Sequence, residues 1–206
     1  MQKETFKSFL KEFNFPHYEE LLDSFQKFLD FLLEENSKVN LISRKTKSED
    51  YWTIHFLDSI LPIRHIDFSN KKILDFGTGG GLPGIPIKLL YPDSIVFLLD
   101  SKQKKINSIK NIVKRLDLKE CFTIVSRLEE MDAKWGNFFD IIVCRSVKIL
   151  PKYKTKMFDL LKNDGKIILY KSRKLEDIIQ FGKVKKYDVS LPEIGERKII
   201  EIEKKN

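Results

Sequence analysis

Lys71-Lys-Ile-Leu-Asp-Phe-Gly-Thr-Gly-Gly-Gly-Leu-Pro-Gly84 is the stretch that decides the fold. Ile73, Leu74 and Phe76 have the apolar character of a buried strand approaching its end. Gly77, Gly79 and Gly81 then allow a tight backbone turn and a close approach to a ligand. Pro83 suits the first turn of a following helix, where its missing N–H is not needed. Strand, glycine turn and helix N-terminus together are how open α/β sheets hold nucleotide-like ligands at the carboxyl ends of their strands.

Two ligands fit that loop. Gly79-x-Gly81-x-x-Gly84 matches the dinucleotide fingerprint, and Asp100 follows 19 residues after Gly81, a spacing suited to ribose binding. A nicotinamide-dependent oxidoreductase is one reading. Asp75 favours another, because a carboxylate at the strand end would repel a pyrophosphate. S-adenosylmethionine carries a sulfonium and an α-amino group instead, and a carboxylate suits both. The alternative for Asp75 is that it orients the loop through hydrogen bonds. Asp100 ends the run Ser94-Ile-Val-Phe-Leu-Leu-Asp100, where it can accept the ribose hydroxyls, cap the helix beginning near Lys102, or both.

Outward from the loop, the pattern changes near residue 70. Tyr18, Leu21, Leu22, Phe25, Phe28, Leu29 and Leu32 recur at spacings of three and four, one face of an amphipathic helix. Phe6, Phe9, Leu10 and Phe13 predict a shorter helix before it, and Trp52, Phe56, Leu57 and Ile60 a third, stopped around Pro62. Beyond residue 70, strands are expected near 72–76, 95–99, 122–126, 140–144 and 165–170, with helices between them. Phe138-Phe-Asp-Ile-Ile-Val-Cys144 is apolar on both faces, as a central parallel strand requires. Lys183–Val189 and Arg197–Glu203 predict two more strands. The expectation is a Rossmann-like α/β fold: a seven-stranded, mostly parallel sheet with helices on both faces and a last strand inserted antiparallel. A helical extension over 1–68 would precede a core over 69–206.

The chain of 206 residues carries a net charge of +8, which favours a polyanionic partner. Basic residues cluster over 102–115, 148–156 and 171–186. No apolar run reaches the roughly 18–20 residues of a membrane span, and the N-terminus lacks a secretory apolar region, so no membrane association is expected. Cys121 and Cys144 each lie in a strand-like run and read as buried, reduced thiols, which points to the cytoplasm. Neither has a partner at metal-ligand spacing, and no metal is expected.

Asn40-Leu-Ile-Ser, His55-Phe-Leu-Asp-Ser59, Asp75-Phe-Gly-Thr-Gly-Gly-Gly-Leu-Pro-Gly-Ile-Pro86, Leu99-Asp-Ser101, Ser126-Arg-Leu-Glu-Glu130 and Gly195-Glu-Arg197 occur in order. Together they closely resemble the bacterial 16S rRNA (guanine-N7) methyltransferase family, RsmG, also called GidB or glucose-inhibited division protein B. The resemblance runs from about residue 20 to the C-terminus. It implies a cytoplasmic, monomeric enzyme with S-adenosylmethionine as cofactor. Its substrate would be N7 of guanine 527 in the 16S rRNA of the small ribosomal subunit.

By the same resemblance, Gly77 and Leu82 would line the cofactor pocket with Asp100 near the ribose, and Leu128 and Glu129 would lie beside the adenine. Arg145 matches the family's arginine after the fourth strand. Each has a plainer alternative: Leu128 as core, Glu129 as a carboxylate in the first turn of a helix, Arg145 as the partner of a surface acid. His55 either contacts Asp58, three residues on and on the same helix face, or forms a wall of the guanine pocket. Gly80 stands where proline or alanine is usual, which should loosen the loop, and Lys171-Ser-Arg-Lys174 replaces a lysine-glycine turn. N7 of guanine has an in-plane lone pair and no proton, so no general base need be present. The chain lacks the Asn/Asp-Pro-Pro-aromatic motif of exocyclic-amine enzymes and a Pro-Cys nucleophile. A small-molecule methyltransferase and a non-catalytic RNA-binding protein remain the other classes to separate.

Overall fold

A computed structural model describes residues 2–204. Its strands are β1 (Lys72–Phe76), β2 (Ile95–Asp100), β3 (Cys121–Val125), β4 (Phe139–Arg145), β5 (Leu161–Lys171), β6 (Lys185–Asp188) and β7 (Lys198–Glu203). They form one sheet in the order β3-β2-β1-β4-β5-β7-β6. The first five strands are parallel, and β7 enters antiparallel between β5 and β6. The order reverses between β1 and β4, so the crevice beyond their carboxyl ends is the switch point where such sheets take ligands.

The central strands are apolar on both faces, and alternate residues feed two cores. Ile73, Val96, Leu98, Ile141, Val143 and Ile168 pack on one side, while Leu74, Phe97, Leu99, Ile142, Cys144 and Ile167 pack on the other. Helices α1 (Gln2–Glu12), α2 (Tyr18–Lys38), α3 (Asp58–Ile60), α4 (Gly84–Leu90) and α5 (Gln103–Arg115) contribute to the first core, and α6 (Pro151–Leu160) to the second. In α5, Ile106, Ile109, Ile112 and Val113 repeat at helical spacing and are buried. The N-terminal helices share the first core with the sheet: Phe6, Phe25, Phe28 and Phe56 form a ring cluster, with centroids 4.7 Å apart for Phe6–Phe25 and 5.4 Å for Phe28–Phe56. Pairs at this spacing are worth about 0.5–1.5 kcal/mol beyond the area they bury.

Two sequence expectations are corrected. The link between β3 and β4 holds no α-helix but two 3-10 turns, Leu128–Glu130 and Ala133–Trp135. Gly136 and Asn137, the latter at φ 51°, interrupt the segment before another turn can form. The third N-terminal helix is also irregular: Tyr51–Leu57 is a π-helix, α3 follows it, and Leu61–Arg64 closes as a 3-10 turn. Wide turns of this kind are rare and often lie at functional sites. Cys121 sits on edge strand β3 and Cys144 in central β4, both reduced and buried. Among the described residues, no helix is long and apolar enough to cross a membrane and no acidic, His or Cys cluster could hold a metal.

Candidate cofactor and acceptor site

A cleft of about 470 Å³ opens over the carboxyl ends of β1, β2 and β4. Gly77 and Gly79 form its floor, Asp100 and Ser101 one side, Leu128 and Glu129 another, and Arg145 and Val147 the side facing β4. Gly77 has φ +76°, and a Cβ there would stand 2.5 Å from a methyl of Val147, so only glycine lets the loop meet that residue. Asp100 accepts from the Gly79 amide at 3.2 Å and the Lys102 amide at 2.9 Å, so it braces the loop and closes the turn before α5; it does not cap the helix, whose N-cap is Lys102 with no side-chain cap bond. Leu128 is fully buried in the second core yet contributes to the cleft wall. Glu129 is ion-paired with Lys152 at 2.5 Å, and that hydrogen bond holds its carboxyl below the usual range.

Asp75 does not face the cleft. Its side chain is fully buried, and Oδ2 accepts from the Thr78 hydroxyl at 2.7 Å and the Gly84 amide at 2.8 Å. It ties the two ends of the glycine loop together, the second of the two roles open to it, and does not present charge to a ligand. Gly81 and Leu82 are likewise absent from the cleft lining. Leu82 points into the first core, because a leucine beside Ile85 gains more from burial than from a polar pocket.

The loop amides also separate the two ligand readings. Gly77 and Thr78 both donate to the Leu99 carbonyl, at 2.9 and 3.0 Å, and Gly81 and Leu82 donate to the Thr78 carbonyl. With Gly79 held by Asp100 and Gly84 by Asp75, these donors are occupied within the protein. A pyrophosphate site needs such amides free and pointing at the ligand; this loop instead offers shape and, at its edge, the Asp100 carboxylate.

Arg145, at the end of β4, reaches from the cleft wall into the protein. Its Nη1 donates to Asp58 at 3.0 Å and to the His55 carbonyl at 3.1 Å. Asp58 holds a second cation, Arg197, with contacts of 2.6 and 3.1 Å. The acid paired with Arg145 is therefore buried, not on the surface. His55 does not contact Asp58 through its ring; the ring packs edge-on to Tyr51 at 4.9 Å, and His55 lines neither cavity described here. Burial, then the Arg145 charge, lowers its pKa to about 4, so it is neutral at neutral pH.

A second cavity, about 650 Å³, adjoins the cleft across Ser146 and Val147. Lys148, Tyr170, Lys171, Lys174, Asp177 and Arg197 line it, and the 171–174 loop forms one rim. Val147, Tyr153, Tyr170 and Leu41 are site residues that sequence reading did not single out. Leu41 lies inside the quoted Asn40-Leu-Ile-Ser motif, and Val147 lies two residues beyond Arg145; Tyr153 and Tyr170 carry no local signal.

Residues 21–192 match the family described as GidB, rRNA small subunit methyltransferase G. The chain belongs to that family. It is 36% identical over 179 residues to the ribosomal RNA small subunit methyltransferase G of Mesoplasma florum, covering 87% of this chain and 75% of that one. The Streptococcus pneumoniae protein of the same name is 32% identical over 219 residues, covering 100% and 92%. Among solved structures, a SAM-dependent methyltransferase from Aquifex aeolicus superposes with a TM-score of 0.60 at 15% identity, over 75% of this chain and 92% of that one. M. jannaschii TYW2 in complex with AdoMet gives 0.53 at 14%, over 72% and 74%. These two establish that the methyltransferase shares the Rossmann-like fold of SAM-dependent enzymes.

Burial pushes the Asp75 carboxyl up to about 6, against the opposing pull of its Thr78 and Gly84 hydrogen bonds. An acid raised in the folded state contributes stability that is fully present below its unfolded pKa, near 3.8, and is lost as pH rises through 6. The stability of the native methyltransferase relative to Asp75→Asn is therefore expected to fall by about 3 kcal/mol between about pH 4 and pH 6, at about 1.4 kcal/mol per pH unit, and to level off above that. Paired urea unfolding curves measure that difference. A difference that stays flat across this window refutes the assignment.

Proposed function

We propose that this chain transfers a methyl group from S-adenosylmethionine to N7 of guanine 527 in 16S rRNA, as a monomer in the cytoplasm. Membership of the rRNA small subunit methyltransferase G family supports the acceptor class. The observation that carries the cofactor is the glycine loop, whose amides are occupied internally while Asp100 stands at the cleft edge. In this reading Asp100 accepts the ribose hydroxyls, Gly77 and Gly79 let the ligand approach the backbone, and Leu128 and Glu129 flank the adenine. Asp75, Gly81 and Leu82 shape the loop from behind. Arg145 closes the β4 side of the cleft, and His55 supports it from below.

The cofactor, when bound, supplies a methyl carbon activated by a cationic sulfur. The protein's task is to place N7 in line with that carbon, and positioning of this kind is worth several kcal/mol of barrier. The second cavity is the acceptor side, since it joins the cleft at Ser146 and Val147 and carries exposed Lys148 and Lys174 on its rim beside the Lys171–Asp177 ion pair. N7 needs no deprotonation, which agrees with a neutral His55 placed outside both cavities.

The deciding experiment is methyl transfer from labelled S-adenosylmethionine to 30S subunits that lack the modification, with the base mapped by nuclease digestion and mass spectrometry. Label in 7-methylguanosine at one 16S position is expected. Cofactor binding with no label on 30S subunits would move the acceptor to another RNA or to a small molecule.

Lys148 and Lys174 are exposed on the acceptor rim. The double change to glutamine is expected to reduce the slope of log affinity for 30S subunits against log salt by about 1–2, given roughly 0.7–0.9 per phosphate contact. S-adenosylhomocysteine affinity should be unchanged. A slope identical to the native one would place the RNA elsewhere.

A further inference from the structure

We infer that Asn36 is a positioning residue for the cofactor cleft, acting through Leu41; the inference rests on the cofactor reading above. Asn36 lies in the last turn of α2, where asparagine is a poor helix former, yet its side chain is buried. Its Oδ1 accepts two successive backbone amides beyond the helix end, Leu41 at 2.9 Å and Ile42 at 3.1 Å. Arg44 closes the same turn from outside, donating to the Asn36 carbonyl at 3.3 Å. One side chain thus folds the 39–44 segment back over the end of α2.

That segment lies on the glycine loop. Leu41 is itself a wall of the cleft that holds Gly79 and Asp100. A Cβ on Gly80 would meet Ile42 at 2.8 Å and Leu32 at 3.3 Å, and one on Gly79 would stand 3.5 Å from the Leu41 carbonyl. Gly80 therefore does not loosen the loop, as its sequence suggests; it lets the N-terminal segment sit directly on it. The loop is held from inside by Asp75 and from outside by the turn that Asn36 builds. An apolar side chain at position 36 would strand two backbone donors, and the turn must then open to water, withdrawing Leu41 from the cleft.

Calorimetric titration with S-adenosylhomocysteine and steady-state kinetics on 30S subunits test this. Asn36→Leu is expected to weaken S-adenosylhomocysteine about 10-fold and raise KM for S-adenosylmethionine similarly, with kcat and KM for 30S subunits within about twofold. Asn36→Asp keeps an oxygen for both amides and should restore affinity. Leu41→Ala keeps those hydrogen bonds but removes the wall and should weaken binding like Asn36→Leu, so the inference stays testable even if Asn36→Leu fails to fold. Leu22→Ala, buried in α2 outside the turn, serves as a control that lowers melting temperature without touching the cleft. Native-like binding by Asn36→Leu or Leu41→Ala, no rescue by Asn36→Asp, or equal weakening by Leu22→Ala would each overturn the inference. Failure of the native protein to bind S-adenosylhomocysteine would overturn the cofactor reading, and this inference with it.

Discussion

Asp58→Ala is expected to destabilise the chain by about 3–5 kcal/mol, the usual cost of leaving a buried charge without its partner. The side chain of Asp58 is only 2% exposed and lies between two guanidinium groups, those of Arg145 at 3.0 Å and Arg197 at 2.6 Å. Arg145 is nearly as buried, at 8%. Without the carboxylate, two cations would face each other in a poorly solvated space, and the ends of β4 and β7 would move apart to hydrate them. The urea midpoint should fall with an unchanged slope. A loss below about 1 kcal/mol would mean that water already reaches both arginines. Methylation should be lost more completely than stability alone explains, because Arg145 lines the cleft and Arg197 the adjoining cavity.

None of that arrangement is visible locally in the sequence. Arg145 and Arg197 stand 87 and 139 residues from Asp58, and no periodicity encodes such a pairing. The sequence offers His55 either as a partner of Asp58, three apart on a helix face, or as a wall of the guanine pocket, but Asp58 pairs instead with Arg145 and Arg197. What was legible is what repeats or terminates. Residues apolar on both faces marked β4, glycines marked the turn after β1, and the aspartate ending a hydrophobic run marked the end of β2. Asp75 and Leu82 show the limit of that method. Their place in the motif was clear, but whether a side chain turns into the cleft or the core depends on neighbours such as Thr78, Gly84 and Ile85, whose packing only the fold defines.

Asp100→Ala is expected to weaken S-adenosylhomocysteine roughly 100-fold or more. Two hydrogen bonds from ribose hydroxyls to a charged acceptor, at about 1.5–3 kcal/mol each, set that scale. The brace on the Gly79 amide would be lost as well, so the loop floor should loosen in the same variant. Asp100→Asn keeps one acceptor oxygen and should fall between the two. Titration calorimetry gives the ratio directly, and kcat at saturating cofactor should change far less than KM. A loss of under threefold would remove Asp100 from the ribose and leave it only as the closure of the turn before α5, where it already accepts the Lys102 amide.

The two thiols give this fold a pair of internal clocks. Burial pushes Cys121 up to about 12 and Cys144 higher still, so neither is a thiolate while its strand is closed. Only the thiolate reacts with an alkylating reagent, so labelling has to wait for the protein to open. Cys121 lies on edge strand β3, and fraying of that edge is enough to expose it. Cys144 sits in β4 with a hydrogen-bonded neighbour on each side, and reaching it means parting the centre of the sheet. The logarithm of the ratio of the two labelling rates therefore measures how far the free energy of opening the middle of this molecule exceeds that of loosening its border.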